Sequence, residues 1–370
     1  MRPLRLFLCG DVMTGRGIDQ VLPRPCDPGL HEEYITSALG YVHLAEQRNS
    51  AIPRAVDPTY IWGAAIEEWA RAKPDIRIVN LETSITRSED FADKGINYRM
   101  SPENADCLTA AAIDCCVLAN NHVLDWGRAG LHDTLATLQR LNIKTTGAGR
   151  DLAEASAPAV LPVAGKARVL VFSYALPSSG TPRGWAAKPD AAGINFLPDL
   201  SEASAERVCG EIARARQPGD VVVVSLHWGP NWSYEIPDEQ MRFAHALIDR
   251  AGVSIIHGHS SHHAKAIEVY RDRLVLYGCG DFIDDYEGIE GYEDYRDDLA
   301  LMVFADIDPA SGALAASEIV PLQIRHFRLN RADAPDVAWI RQRLARESHR
   351  FGTTIAAAAP GRLALSWPER

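Results

Sequence analysis

The sequence predicts an α/β fold whose sheet is buried on both faces, and two patterns carry that expectation. Short β-branched runs recur along the chain: "RLFLCG", "DIRIVNLE", "CCVLAN", "ARVLVFSY", "DVVVVSLHWG", "VSIIHGH", "RLVLYGCGD" and "LALMVFADI". Amphipathic stretches of helical length separate several of them, at Tyr60 to Arg71, Leu131 to Leu141, Glu202 to Arg216 and Asp238 to Ala251. Apolar runs alternating with helices are the pattern of a sheet covered on both sides. From about Ala266 onward strands dominate, which predicts an antiparallel region.

No internal repeat, low-complexity tract or Gly/Ser/Pro linker interrupts the 370 residues. One domain is therefore read over residues 1–330, with a C-terminal helix and tail over 331–370 packing on it. Gly17 to Tyr60 is a long insertion between the first strand and the first helix, a candidate wall or lid. The softest stretches are "VLPRPCDPGLHEEY", "PSSGTPRGWAAKPDAAG" and "AAAAPGRLALSWPER".

Composition narrows the function. Hydrophobic residues make up 46% and charged residues 24%, the profile of a globular protein. The net charge of −11 argues against nucleic acid as a partner and against holding a long polyanion by bulk electrostatics. An acidic substrate then needs a local positive centre, which a bound metal supplies. No window approaches the roughly 18 to 20 apolar residues of a membrane span. The N-terminal "MRPLRLFLCGD" reads as a first strand, and the seven cysteines form no C-x-x-C pair. Reduced thiols and a cytoplasmic location are expected.

The residues just after each strand are the informative ones. They are Asp11, Asn80 with Glu82, Asn120 to His122, His227, His259 with His262, and Asp281. Singly each has a bland reading: Asp11 as a turn former, Asn120 as a helix cap, His227 as a core histidine. Together, six strands deliver carboxylate, carboxamide or imidazole at the edge where open α/β sheets bind ligands. "GHSSHH" weighs most, because clustered imidazoles have few structural uses. This mixed oxygen and nitrogen set suits a divalent metal, Mn, Fe, Zn or Ca, as one ion or two.

At these residues the chain resembles the CapA family, the poly-γ-glutamate capsule proteins of the calcineurin-like metallophosphatase superfamily. The matching motifs are "GDVMTGR", "NLETSIT", "ANNHVLDWGRAGLHDTL", "SLHWGPNW", "HGHSSHH" and "IEVYRDRLVLYGCGDF", in order from about residue 4 to 306. The resemblance implies a four-layer αββα sandwich with the site at the strand ends. It makes Asp11 a first-motif metal ligand and Glu82 the bridging carboxylate. Asn121, His227 and His259 become second-metal ligands, and His262 a ligand returning to the first metal. His122 takes the place of the general acid, with Asp125 three residues on orienting it. Two departures stand out: Met13 occupies the position of a first-motif imidazole, and two residues instead of one separate His259 from His262.

Three functions follow. The first is a metal-dependent hydrolase of an amide or phosphoester in poly-γ-glutamate or peptide metabolism, with His122 protonating the leaving group. The second is a metal-dependent peptide epimerase, in which His122 with Asp125, and a second pair drawn from Asp11, His259 or His262, exchange a Cα proton. The third is a non-catalytic subunit of a polyglutamate synthesis or export assembly. The expected substrate is a small molecule or peptide bearing carboxylate or phosphate. Arg16, Asn80, Trp228 and Arg296 are candidates to contact it, the arginines through their planar forks. The acidic stretch after Asp281, with Tyr286, Tyr292 and Tyr295 interleaved, is either a solvated loop or a lid. His263 is read as supporting the ligands and His257 as packed within its strand.

Overall fold

The computed structural model describes residues 2–368. Two sheets lie face to face. The larger has strand order Thr354–Ala359, Arg362–Ser366, Leu314–Ile324, Leu299–Ile307, Leu4–Val12, Ile76–Leu81, Cys115–Val117 and Lys144–Thr146. The smaller runs Ile267–Tyr270, Arg273–Leu276, Ile255–His259, Val221–His227, Ala167–Ala175 and Ala159–Val163.

Strand alternation sorts the apolar residues into three layers. Leu4, Leu6 and Leu8 meet Val169, Val171, Val221, Val223 and Ile255 between the sheets. Phe7, Cys9 and Val79 point the other way, onto Trp69 of the helix Ala64–Ala72 and Leu131, Leu135 and Leu138 of the helix Gly127–Arg140. Leu170, Phe172, Val222 and Val224 face Val208 and Ile212 of Glu202–Ala215 and Phe243 and Leu247 of Asp238–Ala251. The architecture is helices, sheet, sheet, helices, which is the expected αββα sandwich.

Three expectations change on contact with the structure. "RLVLYGCGD" is not one strand. Its first half, Arg273–Leu276, belongs to the smaller sheet, while Asp281–Ile283 pairs in parallel with Leu4–Val12 in the larger. Gly280, at φ +74°, makes the crossing, and a Cβ on Gly10 would sit 1.6 Å from its carbonyl oxygen. The crossing sets Asp281 directly opposite Asp11.

The insertion after the first strand is also folded, carrying the helices Gly17–Val21 and Ala38–Arg48 and burying Ile18, Val21, Val42 and Ala45. Residues Thr354–Ser366 of the C-terminal tail form a hairpin that extends the larger sheet, with Ile319 opposite Leu363. The helix Ala334–Ser348 sends Ile340 and Leu344 into the layer between the sheets. Glu68, buried, binds Arg71, Arg331 and Arg362 and so ties the hairpin to the helix Ala64–Ala72. Among the described residues no helix is long and apolar enough to cross a membrane, and all seven cysteines are free, six of them buried.

Candidate metal centre

The parallel strands of both sheets end along one edge, and their polar termini converge there. Asp11 lies at the hub. One carboxylate oxygen of Asp11 and ring nitrogens of His227 and His259 fall within 4.8 Å of one another, and Asp11 forms a second such group with His262 and Asp281. Asp11, not Glu82, is therefore the residue shared between the two groups. Glu82 Oε1 lies 3.8 Å from His227 Nε2 and 3.9 Å from His122 Nε2. Asn121 Oδ1 is 2.8 Å from His227 Nε2. All six ligands expected from the sequence are brought together, and Asp281 joins them.

Register explains the imidazole pair. His227 and His259 are cross-strand partners in adjacent parallel strands, and their Nδ1 atoms approach to 2.7 Å. His262 stands on the turn that follows. Its Nδ1 is 2.9 Å from Asp281 Oδ1, and its Nε2 is 3.0 Å from Asn231 Nδ2.

The charge balance decides what the site can hold. Asp11, Glu82 and Asp281 are all about 1% exposed or less. Burial pushes each carboxyl above its usual range, and Asp11 raises Glu82 and Asp281 further by its own charge. Burial lowers the imidazoles of His227, His259 and His262, leaving them neutral, as ligands must be. Asp281 Oδ2 has no hydrogen-bond partner. Clustered buried carboxylates, neutral imidazoles and an orphaned carboxylate oxygen fit a divalent cation, and softer thiolate ligands are absent from both groups.

Beside this cluster sits an acid-base pair. His122 Nδ1 is 2.6 Å from Asp125 Oδ2, on the turn leading into the helix Gly127–Arg140, and Asn120 Oδ1 accepts from the backbone N–H groups of His122 and Val123 to fix that turn. Lys94 donates to Asp125 Oδ1 at 2.8 Å and lies 3.2 Å from His122 Nδ1. Burial, reinforced by Lys94 and opposed by Asp125, pushes the His122 imidazole down to about 4. Nothing in the sequence marks Lys94, which lies in an irregular stretch without periodicity.

Four expected substrate contacts have other duties. Arg16 is buried, with Nε and Nη2 on Asp285 at 3.1 and 2.6 Å and Nη1 on Glu32 at 3.0 Å. Its guanidinium also lies over the Tyr41 and Tyr98 rings, so its donors are committed to joining the insertion to the acidic loop. Asn80 donates Nδ2 to Asp11 Oδ1 and Glu82 Oε2 at 2.8 and 2.9 Å, holding the two carboxylates side by side. Arg296 is paired with Asp298 and Asp336, on the side of the helix Ala334–Ser348. Trp228 donates to the Tyr277 carbonyl and stacks on its ring in the outer helical layer. Trp232, by contrast, lies at the centre: its ring is 5.3 Å from His262 and stacks on Tyr292 at 4.0 Å. With Tyr286 also 5.1 Å from His262, the tyrosines of the acidic loop fold toward the centre.

Residues 5–286 match the family model described as bacterial capsule synthesis protein PGA_cap. The chain belongs to that family. A probable polyglutamine synthesis accessory protein of Mycobacterium tuberculosis is 45% identical to this PGA_cap member over 352 residues, 95% of this chain and 92% of that one. The PGA biosynthesis protein CapA of Bacillus subtilis is 31% identical over 208 residues, 56% of this chain and 52% of its own length. Among solved structures, a novel phosphatase from Mycoplasma pneumoniae covers 90% of this chain and 95% of its own at 10% identity, with a TM-score of 0.47. The PGA_cap segment includes Asp11, Glu82, Asn121, His227, His259, His262 and Asp281.

Proposed function

We propose that this PGA_cap protein is a metal-dependent hydrolase of γ-glutamyl amide bonds in polyglutamate or peptide metabolism. One observation carries the reading: Asp11, Glu82 and Asp281 are buried beside neutral His227, His259 and His262, with no free cationic side chain among the described residues of the cluster. Lys94, whose ammonium lies beside His122, is already bound to Asp125. Like charges this close are unstable without a counter-ion. Asp11, Glu82, Asn121, His227, His259, His262 and Asp281 would hold Mn, Fe or Zn. When bound, such an ion supplies Lewis acidity to a carbonyl and acidifies water.

The protein's own contribution is positional and protonic. Asp125 accepts from His122 Nδ1–H, which leaves Nε2 as a bare acceptor facing Glu82. That nitrogen takes a proton from attacking water and returns it to the departing amine, a contribution of about 10²–10⁴ in rate. Amide is favoured over phosphoester because the guanidinium of Arg16, which would suit a phosphate dianion, is spent on Asp285 and Glu32. A second reading, peptide epimerisation, draws on the same neutral His122, since a base is what Cα proton removal needs.

The test is to incubate the metal-loaded protein with γ-glutamyl oligomers in deuterated water, following amine release and Cα deuterium together. Amine release that falls at least about 100-fold in His122→Ala, with metal content retained, supports hydrolysis. Deuterium uptake without amine release selects epimerisation. Neither event in a protein that holds its metal overturns both and leaves a binding role in a synthesis or export assembly.

A further inference from the structure

Behind the candidate ligands lies a buried hydrogen-bond chain that the proposed reaction does not use. His257 Nε2 is 2.7 Å from the carbonyl oxygen of Cys9, in the facing sheet. His257 Nδ1 is 3.1 Å from Ser225 Oγ, and Ser225 Oγ is 2.7 Å from His259 Nε2. The chain ends at His259 Nδ1, the atom that faces His227. Ser225 pairs with His257 and His227 with His259 across adjacent strands, so parity points all four toward the layer between the sheets. Leu226 and Ile256, one residue out of phase, point to the outer helices.

The chain has one self-consistent proton arrangement. A backbone carbonyl only accepts, so His257 carries its proton on Nε2. The ring is fully buried, and Ser225 and Cys9 are its hydrogen-bond partners among the described residues, with no carboxylate to balance a charge. It is therefore neutral, with Nδ1 bare. The Ser225 hydroxyl donates to that nitrogen, and its oxygen accepts from His259 Nε2–H. The alternative, with Ser225 donating to His259, requires both nitrogens of His257 to be protonated, an unpaired buried cation.

We infer that Ser225 and His257 are positioning residues that lock His259 in the tautomer whose Nδ1 lone pair faces the metal centre. The inference rests on the metal-centre reading above. The Cys9 carbonyl reaches His257 where the pairing of Leu4–Val12 with Ile76–Leu81 shifts register, between Leu8 and Asp11, so the relay also joins the two sheets under the site. Partners of this kind raise ligand basicity and orient the ring, and their loss costs about 10–100-fold in metal affinity.

Two measurements test it. Calorimetric titration with Zn²⁺ or Mn²⁺ compares wild type with Ser225→Ala, His257→Leu and His257→Gln. Ser225→Ala and His257→Leu are each expected to weaken binding about 10–100-fold, and their combination no more than the worse single change, because they interrupt one chain. His257→Gln presents an acceptor and a donor in the same order and is expected to restore most of the affinity. Nitrogen-15 spectra of histidine-labelled, metal-free wild type provide the second readout: His259 should be protonated at Nε2 and bare at Nδ1. An Nδ1–H tautomer, or Ser225→Ala binding metal within about 2-fold of wild type, overturns the relay. Wild type that binds no divalent cation instead overturns the metal-centre reading, while the tautomer still decides the relay.

Discussion

Replacing Asp281 by Asn should stabilise the metal-free protein and reduce the stabilisation that metal confers. The ligand atoms of Asp11 and Asp281 lie within 4.8 Å of each other in a site closed to solvent. At an effective dielectric of about 20, two full charges at that separation repel by about 3.5 kcal/mol. Partial protonation of the pair relieves some of this, so removing one charge while keeping the side-chain shape is expected to gain about 1–3 kcal/mol in the metal-free state. With saturating Zn²⁺ that gain is offset. Loss of one anionic ligand that lowers affinity about 100-fold removes about 2.7 kcal/mol of binding-linked stability. Urea unfolding, once with a chelator and once with excess metal, reads both terms from a single variant. An Asp281→Asn protein no more stable than wild type without metal, and equally stabilised by metal, would refute the idea that these carboxylates are held together for a cation.

Three other outcomes are expected. Glu68 is raised by burial, but Arg71, Arg331 and Arg362 pull it from 4.5 down to about 2. Its folded pKa is depressed, so its stabilisation is present above pH 4.5 and lost as pH falls toward 2. That interval corresponds to about 3.4 kcal/mol, reduced by partial exposure of the arginines to about 1–2 kcal/mol. Glu68→Gln should lose that amount at pH 7, with the two denaturation curves converging on acidification. Lys94→Met removes a positive charge beside His122, so the imidazole should titrate above about 4 yet below 6.5, burial being the larger cause; a proton NMR titration checks it. Gly10→Ala forces a Cβ against the Gly280 carbonyl, a backbone contact that no rotamer relieves. It should cost more than about 3 kcal/mol or abolish soluble expression.

Local pattern carried much of the fold into the sequence. Helices Glu202–Ala215 and Asp238–Ala251 were legible almost to the residue, because Ser201 caps the first by accepting from Ser204 N–H, and Gly252 ends the second in the left-handed region. The six candidate ligands were legible because each follows an apolar run. The two glycines of "YGCGD" carry no such signal: they permit the chain to leave one sheet for the other, but continuing the strand suits the same residues.

Sequence alone determined the layers and the edge. Side-chain alternation is a property of each strand by itself, so the apolar faces and the polar termini were set before any strand met another. Tertiary structure decided which of those termini touch and which charges are already spoken for. Arg16 is consumed by Asp285, 269 positions away, and Asn80 by Asp11, 69 positions away. Such pairings leave no trace in local periodicity, because they depend on strand order and on where the chain crosses between sheets. The same holds for Ser225 and His257, whose partners become visible only once parallel register sets them side by side and the facing sheet brings the Cys9 carbonyl within reach.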